Sequence, residues 1–262
     1  AIHHRPGGER VERLDVDSRW LAERMSVFFT GIVHHSGAVN WRVVRSRLDG
    51  DPASKAAFDA IARAVCRAGC LPRKELYEAW EVARRVRRRF RGGRIVDLAC
   101  GHGLLAQMLL LLDDSSPLAL AVDRNLPPSA ATLAEVLHHD WPRLQGRVQL
   151  VETDLSEVPL SAGDLVVSAH ACGKLTDLVL DRAVAAGARV AVLPCCHDLK
   201  GADLGGLEGW LDGPLAMDAA RVARLRTHGY RVFTQRIPAA ITPKNRLLLA
   251  EPIAPASSGP AA

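Results

Sequence analysis

No stretch of this 262-residue sequence is apolar for long. The longest nearly apolar run, Leu104 to Leu112, is broken by Gln107, and a membrane span needs about 20 residues. A spanning helix is therefore not expected. The opening residues are polar and rich in His and Arg, unlike the apolar stretch of a secretory signal. The six cysteines, at 66, 70, 100, 172, 195 and 196, lack the spacing of a disulfide framework. Together these absences predict reduced thiols and a cytoplasmic protein without a membrane partner. Lysine is also scarce: it occurs only at 55, 74, 174, 200 and 244, so nearly all 34 basic residues are arginine. The net charge of +5 and pI near 9.1 permit a polyanionic partner without requiring one.

With 48% hydrophobic and 24% charged residues, the composition is that of an ordinary globular protein. Residues 1–13 are charged and without periodicity, which reads as a frayed start. Residues 14–70 carry helical patterning, with Ser54 placed to cap a helix that runs to about Arg67. After Pro72, the spacing of Leu76, Ala79, Trp80, Ala83 and Val86 predicts another helix. It ends in an arginine run, 84, 85, 87, 88, 89 and 91, followed by Gly92-Gly93.

From Arg94 the pattern changes to short apolar runs alternating with helical stretches. Strands are expected near 94–99, 118–123, 147–152, 164–168 and 189–193, and helices near 103–112, 128–138, 174–186 and 216–227. Such alternation predicts parallel strands joined by crossover helices. Arg231–Ile237 and Arg246–Ala250 are joined by a connection too short for a crossover, so the last pair should be antiparallel. The expected organisation is an N-terminal helical segment over 1–71, an α/β domain over 72–252 and a disordered tail over 253–262.

The sharpest motif is Val96-Asp97-Leu98-Ala99-Cys100-Gly101-His102-Gly103, between the first strand and its helix. Gly101 and Gly103 let the backbone turn tightly and come close to a ligand. Two readings compete. Gly101-x-Gly103-x-x-Ala106 could be a dinucleotide fingerprint with Asp123 on the ribose. The alternative is a pocket for S-adenosylmethionine. Asp97 at a strand end suits a cationic amino-acid group and would repel a pyrophosphate. Asp123, with Arg124 beside it, ends the second strand, where the carboxylate can accept from ribose hydroxyls. Asp154, followed by Leu155, comes after the third strand, where it can accept from the adenine amino group. Three strand-end carboxylates and a glycine loop resemble a class I methyltransferase over residues 72–252. The resemblance implies a Rossmann-like, mostly parallel seven-stranded sheet closed by an antiparallel hairpin. It also implies a cofactor site of Asp97, Ala99, Gly101, Gly103, Asp123, Arg124, Asp154, Leu155 and Ser168. Ala99 stands where such proteins commonly carry a first glycine.

Two polar segments follow the fourth and fifth strands: Ser168-Ala-His170-Ala-Cys172-Gly173-Lys174-Leu-Thr176-Asp177, and Pro194-Cys195-Cys196-His197. His170, His197 or Lys174 could serve as a general base. A thiolate from Cys172 or Cys195 could instead add to a pyrimidine ring. The Cys and His types, with Cys196 among them, also suit zinc. Two neighbours in sequence rarely share one tetrahedral ion, so no metal is expected.

The pairing of His-x-Cys-Gly-x-x-Thr-Asp with Pro-Cys-Cys-His resembles a methyltransferase-domain family that includes tRNA ribose 2′-O-methyltransferases acting on the acceptor stem. Arg73, Lys74, Leu76 and Glu78 are similar to a helix of that family just upstream of the first strand. The resemblance implies RNA as a substrate, with Lys74, Glu78, Arg84, Arg88, Thr176 and Asp177 as contacts. The arginine run could meet phosphates. It could equally be a solvated helix face, which leaves a small-molecule acceptor open. A nicotinamide-dependent oxidoreductase and a non-catalytic RNA-binding module are the readings outside methyl transfer. His34, His35 and the aromatics Trp20, Phe28, Phe29 and Trp41 could line the mouth of the site.

Overall fold

The computed structural model describes residues 2–5, 8–11 and 52–253. The tail beyond Ile253 and the proposed mouth residues Trp20, Phe28, Phe29, His34, His35 and Trp41 lie outside them. The described residues fall in two units. The first is a hairpin, in which β1 (Ile2–Arg5) pairs antiparallel with β2 (Gly8–Val11). The frayed start expected over 1–13 is thus corrected within the described residues: Ile2–Arg5 and Gly8–Val11 pair as strands, His3 opposite Arg10 and His4 opposite Glu9.

The second unit begins with α1 (Pro52–Ala68) and α2 (Arg73–Arg89). Because α1 starts at Pro52, Ser54 lies in its first turn rather than at its cap. Phe58 of α1 stacks on Tyr77 of α2 at 5.5 Å and meets the edge of Trp80 at 5.1 Å. The helix assigned by sequence to the N-terminal segment is therefore built into the main core.

The sheet contains β3 (Ile95–Leu98), β4 (Ala119–Asp123), β5 (Val148–Glu152), β6 (Leu165–Ser168), β7 (Arg189–Val192), β8 (Tyr230–Arg236) and β9 (Arg246–Pro252). Their order is β5-β4-β3-β6-β7-β9-β8. The first five are parallel, and β9 runs antiparallel between β7 and β8. The expected seven-stranded sheet with a terminal antiparallel hairpin is what the chain forms. The crossover helices are α3 (Leu104–Leu112), α4 (Ser129–Asp140), α5 (Lys174–Ala186) and α6 (Gly213–Thr227).

Both faces of the central sheet are covered, and side chains alternate between them. Ile95, Leu165, Val167, Ala191 and Leu249 pack with α1–α4. Val96, Leu98, Val166, Val190 and Val192 pack on the opposite face with α5 and α6. Period-2 alternation puts Asp97 on the α1–α4 side, at a position where its neighbours are all apolar. A carboxylate there is only 1% exposed. Burying a charge without a full set of partners is costly, so this residue serves something other than packing.

The arginine run of α2 is largely consumed by the fold. Arg87 is buried, donates to Leu109 O and Ser116 Oγ at 2.9 Å each, and pairs with Asp113. Burial lowers its pKa to about 10, despite the favourable charge of Asp113. Arg84 and Arg85 pair with Glu81, and Arg91 pairs with Asp113. Arg89 pairs with Glu251 and lies 3.5 Å over the Phe233 ring. Arg88 remains exposed. The run is chiefly a set of struts, and Arg84 in particular is not free for phosphate.

Candidate functional site

The site lies at the carboxyl edge of β3, β4, β6 and β7, where open α/β sheets place ligands. Asp97 lies on one side of β3, and the loop 99–103 crosses the strand end. Its backbone sits in the left-handed region at Ala99 (φ 57°), Gly101 (55°) and Gly103 (70°). A Cβ on Gly101 would meet no atom within 4 Å, so the loop opens onto free space there. At Gly103, a Cβ would press on Ala121 and Leu150 at 3.1 Å, so the glycine lets α3 start close against β4. Ala99 pays for its conformation: a non-glycine residue in that region costs roughly 1–2 kcal/mol. Ala99→Gly should therefore raise stability by about 1 kcal/mol, or about 2–4 °C in a protein of this size, read by a thermal melt.

Asp97 has one hydrogen bond among the described residues, a long one of 3.2 Å from the Ala106 N–H. Burial pushes its pKa up to about 8, the Ala106 bond opposes this, and the charge of Asp123 adds to it. Asp123 accepts from Gly101 N at 2.9 Å and Asn125 N at 3.2 Å. It thereby fixes the glycine loop while each oxygen keeps capacity for a further donor.

The third carboxylate of the expected row behaves differently. Asp154 caps a short turn, accepting from Ser156 N at 2.9 Å and Ser156 Oγ at 2.7 Å, and it pairs with Arg124. The bonds from Ser156 and Arg124 hold its carboxyl well below the usual range. Asp154 and Arg124 thus pair at the surface, and Ser156 fixes the carboxylate just past β5. Leu155 is buried against the opposite face of the sheet. Ser168 is buried too, its Oγ accepting from Ala171 N at 3.2 Å, so it shapes the loop after β6.

A narrow cleft opens beside Asp97, walled by Glu75, Cys100, His102, Ala169 and His170. His102 Nδ1 sits 3.7 Å from Glu75 Oε2 across it. Neither residue was read from sequence as part of the site, although His102 lies between the two glycines of the loop. His170, half-buried, is the one sequence-predicted base on this cleft. Cys100 packs into the core, and its thiol is raised by burial.

Cys172, Cys195 and Cys196 converge at the ends of β6 and β7, their Sγ atoms all within 4.8 Å of one another. Burial raises the thiols of Cys172 and Cys195. Gly173 N donates to Cys196 O at 3.1 Å and ties the two loops together. Lys74, at the start of α2, pairs with buried Glu78 at 3.2 Å, and its charge reaches Cys172.

His197, Thr176 and Asp177 are corrected. The His197 side chain is 2% exposed, with Nε2 at 3.0 Å from both carboxylate oxygens of Asp218. Asp218 also accepts from Arg221 Nη1 at 3.1 Å and Arg246 Nε at 2.6 Å. Arg221 donates to both oxygens of Asp177, at 2.9 and 2.8 Å. Thr176 Oγ1, buried, donates to Ala171 O at 2.5 Å. These three residues hold the loops in place and are not free to meet substrate. A charged depression between α5 and α6, which Lys174 and Asp177 help to line, lies on this side of the network.

Among known proteins, residues 74–200 match the family described as "Methyltransferase domain". No curated protein matches the chain. Among solved structures, the chain is similar to the M1A22 tRNA methyltransferase TrmK of B. subtilis, at 15% identity, covering 65% of each chain, with a TM-score of 0.44. It is also similar to an O-methyltransferase family protein of Burkholderia thailandensis, at 16% identity, covering 68% of this chain and 59% of that one, with a TM-score of 0.41. TrmK of M. capricolum, in complex with S-adenosyl-homocysteine, is 13% identical over 64% of this chain and 65% of that one, with a TM-score of 0.42. The match thus spans less than two thirds of each of these structures. Residues 74–200, the stretch that matches the methyltransferase-domain family, run from α2 through β7 of the seven-stranded sheet.

Proposed function

We propose that this chain is an S-adenosylmethionine-dependent methyltransferase with RNA as its acceptor. The observation that carries the donor half is Asp97: a buried, weakly bonded carboxylate at a core position, beside a glycine loop that opens onto free space. These residues fit the donor. Asp97 would hold its cationic amino-acid end, Asp123 its ribose hydroxyls, and Gly101 would leave room for its body. Bound there, the cofactor supplies an electrophilic methyl group. Asp97 would equally repel a pyrophosphate, which disfavours a nicotinamide cofactor. Calorimetry with S-adenosylhomocysteine tests this half; a folded protein that takes up none at millimolar ligand ends it.

His170 is the base on the cleft. Its ring can accept the acceptor's proton at one nitrogen as the new bond forms. His170→Ala should lower turnover about 100-fold and leave donor affinity within about twofold. Equal turnover in the variant would remove His170 from the reaction.

RNA is supported by the paired motifs around Cys172 and Cys195 and by the exposed cations Lys74 and Lys174, at the starts of α2 and α5. Most of the arginine run gives no support, because it is spent on internal pairs. Tritiated-donor labelling of an extract lacking this protein tests the acceptor: label in RNA supports the reading, and label confined to small metabolites overturns it. Binding to that RNA should weaken steeply with salt.

A further inference from the structure

Cys172, Cys195 and Cys196 do not pack as small apolar side chains. Cys172 and Cys196 are exposed and Cys195 is half-buried. They come from two loops 23 residues apart in sequence, yet Cys172 Sγ lies 2.9 Å from Cys195 Sγ. Cys195 Sγ lies 3.9 Å from Cys196 Sγ. Neighbours along an extended chain normally direct side chains apart, but the irregular backbone after β7 turns both toward Cys172. Three thiols in mutual contact at a surface have no apolar surface to bury that would account for the arrangement.

We propose that Cys172, Cys195 and Cys196 bind one zinc ion as a three-thiolate site. Zinc–thiolate bonds of about 2.3 Å in a tetrahedron set sulfur–sulfur edges of about 3.8 Å. The observed spread, from 2.9 Å to an upper bound of 4.8 Å, brackets that edge. Loading needs only rotamer-scale adjustment. Burial raises the Cys172 thiol, and the Lys74 ammonium opposes this only in part, so bonding to zinc itself drives the loss of the thiol protons. Each thiol gives up its proton to solvent as its sulfur–zinc bond forms.

No histidine or carboxylate among the described residues joins the three sulfurs. His197 is turned away into the Asp218 network. The fourth position is therefore open to water or an incoming ligand, as in zinc sites that take part in chemistry. The same ion would staple the loop after β6 to the loop after β7, beside the His170 cleft. The site does not depend on the identity of the methyl acceptor.

Metal analysis of the full chain, purified with thiols reduced, tests this. One zinc per chain is expected, resistant to dialysis. Cobalt(II) substitution should give the intense near-ultraviolet band of thiolate-to-cobalt charge transfer. Cys172→Ser and Cys196→Ser should each weaken retention at least tenfold, while a Cys66→Ser/Cys70→Ser control keeps the metal. Substoichiometric metal after reconstitution of the wild-type chain overturns the proposal, as does a cobalt spectrum without that band. A Cys172–Cys195 disulfide in the reduced preparation overturns it too.

Discussion

Replacing Asp97 by Asn should weaken donor binding about 100-fold, roughly 2.7 kcal/mol, while leaving the chain folded and more heat-stable in alkali. The amide keeps the size and the acceptor oxygen for the Ala106 N–H, so the loop loses little. What it removes is the negative charge facing the cleft, and charge-assisted bonds are the strong ones. The wild-type dependence on pH gives the same test a second axis. Asp97 titrates near 8 in the free protein, and only its ionised form suits a cationic ligand. Donor affinity should rise about tenfold per unit between pH 6 and 8 and then level off. Binding near pH 7 should release a proton, seen when calorimetry is repeated in buffers of different ionisation enthalpy.

The stability effect has the opposite sign. The folded-state value lies above the ordinary carboxylate value. The stabilisation from keeping Asp97 protonated is therefore complete below about pH 4 and is lost as pH rises through about 8. The Asn variant lacks that loss, so its melting temperature should exceed that of the wild-type chain by a few degrees at pH 9. A variant that binds donor normally, or a wild-type affinity flat from pH 6 to 8, would remove Asp97 from the donor site.

Asp97 was legible in the sequence because a local pattern exposes it. It interrupts the apolar run of β3, and Gly101 and Gly103 follow within six residues. The strands were legible for the same reason, since runs buried on both faces and bounded by turns depend on nearest neighbours in the chain. β3 through β7 lie within a residue of their expected ends. The turn cap at Asp154 was not legible, because a strand-end aspartate that accepts from ligand and one that caps a turn have the same sequence signature. Only the position of Ser156 and Arg124 separates the two. His197 was misread for a longer-range reason: Asp218 and Arg246 come from α6 and β9, and no local pattern pairs them with the Pro-Cys-Cys-His loop. The arginine run shows the same limit, because its acidic partners Asp113 and Glu251 lie far along the chain. Sequence adjacency hid the three-cysteine cluster, whose loop geometry turns two neighbours the same way.

The second large effect is expected at Asp218. Asp218→Ala should cost roughly 3–5 kcal/mol, the range for removing one partner from a buried ion cluster. That corresponds to a fall of about 10 °C in melting temperature. The reason is the company the carboxylate keeps. Without it, Arg221, only 2% exposed, loses one of its two acidic partners, and Arg246 and His197 lose theirs. The His197 Nδ1 is already buried without a partner, so the ring would keep only the long 3.5 Å contact of its Nε2 with Arg246 Nη2. The dependence on acid follows from the same contacts. Burial opposes ionisation of Asp218, but the bonds from His197 and Arg246 outweigh it and hold the carboxyl below the ordinary range. A depressed folded-state value gives stability that is present above about pH 4 and lost as pH falls through the folded value. Wild type should therefore lose its advantage over the variant toward pH 3, with melts from pH 3 to 8 showing the curves converge. The network also positions the loops: Arg221 donates to Gly173 O at 3.3 Å, next to Cys172, and His197 follows Cys196. Asp218→Asn, which keeps the shape and some of the acceptors, should recover part of the stability. If Asp218→Ala melts within about 1 °C of wild type at pH 7, the cluster contributes no net stability and the loops are held by their backbone bonds alone.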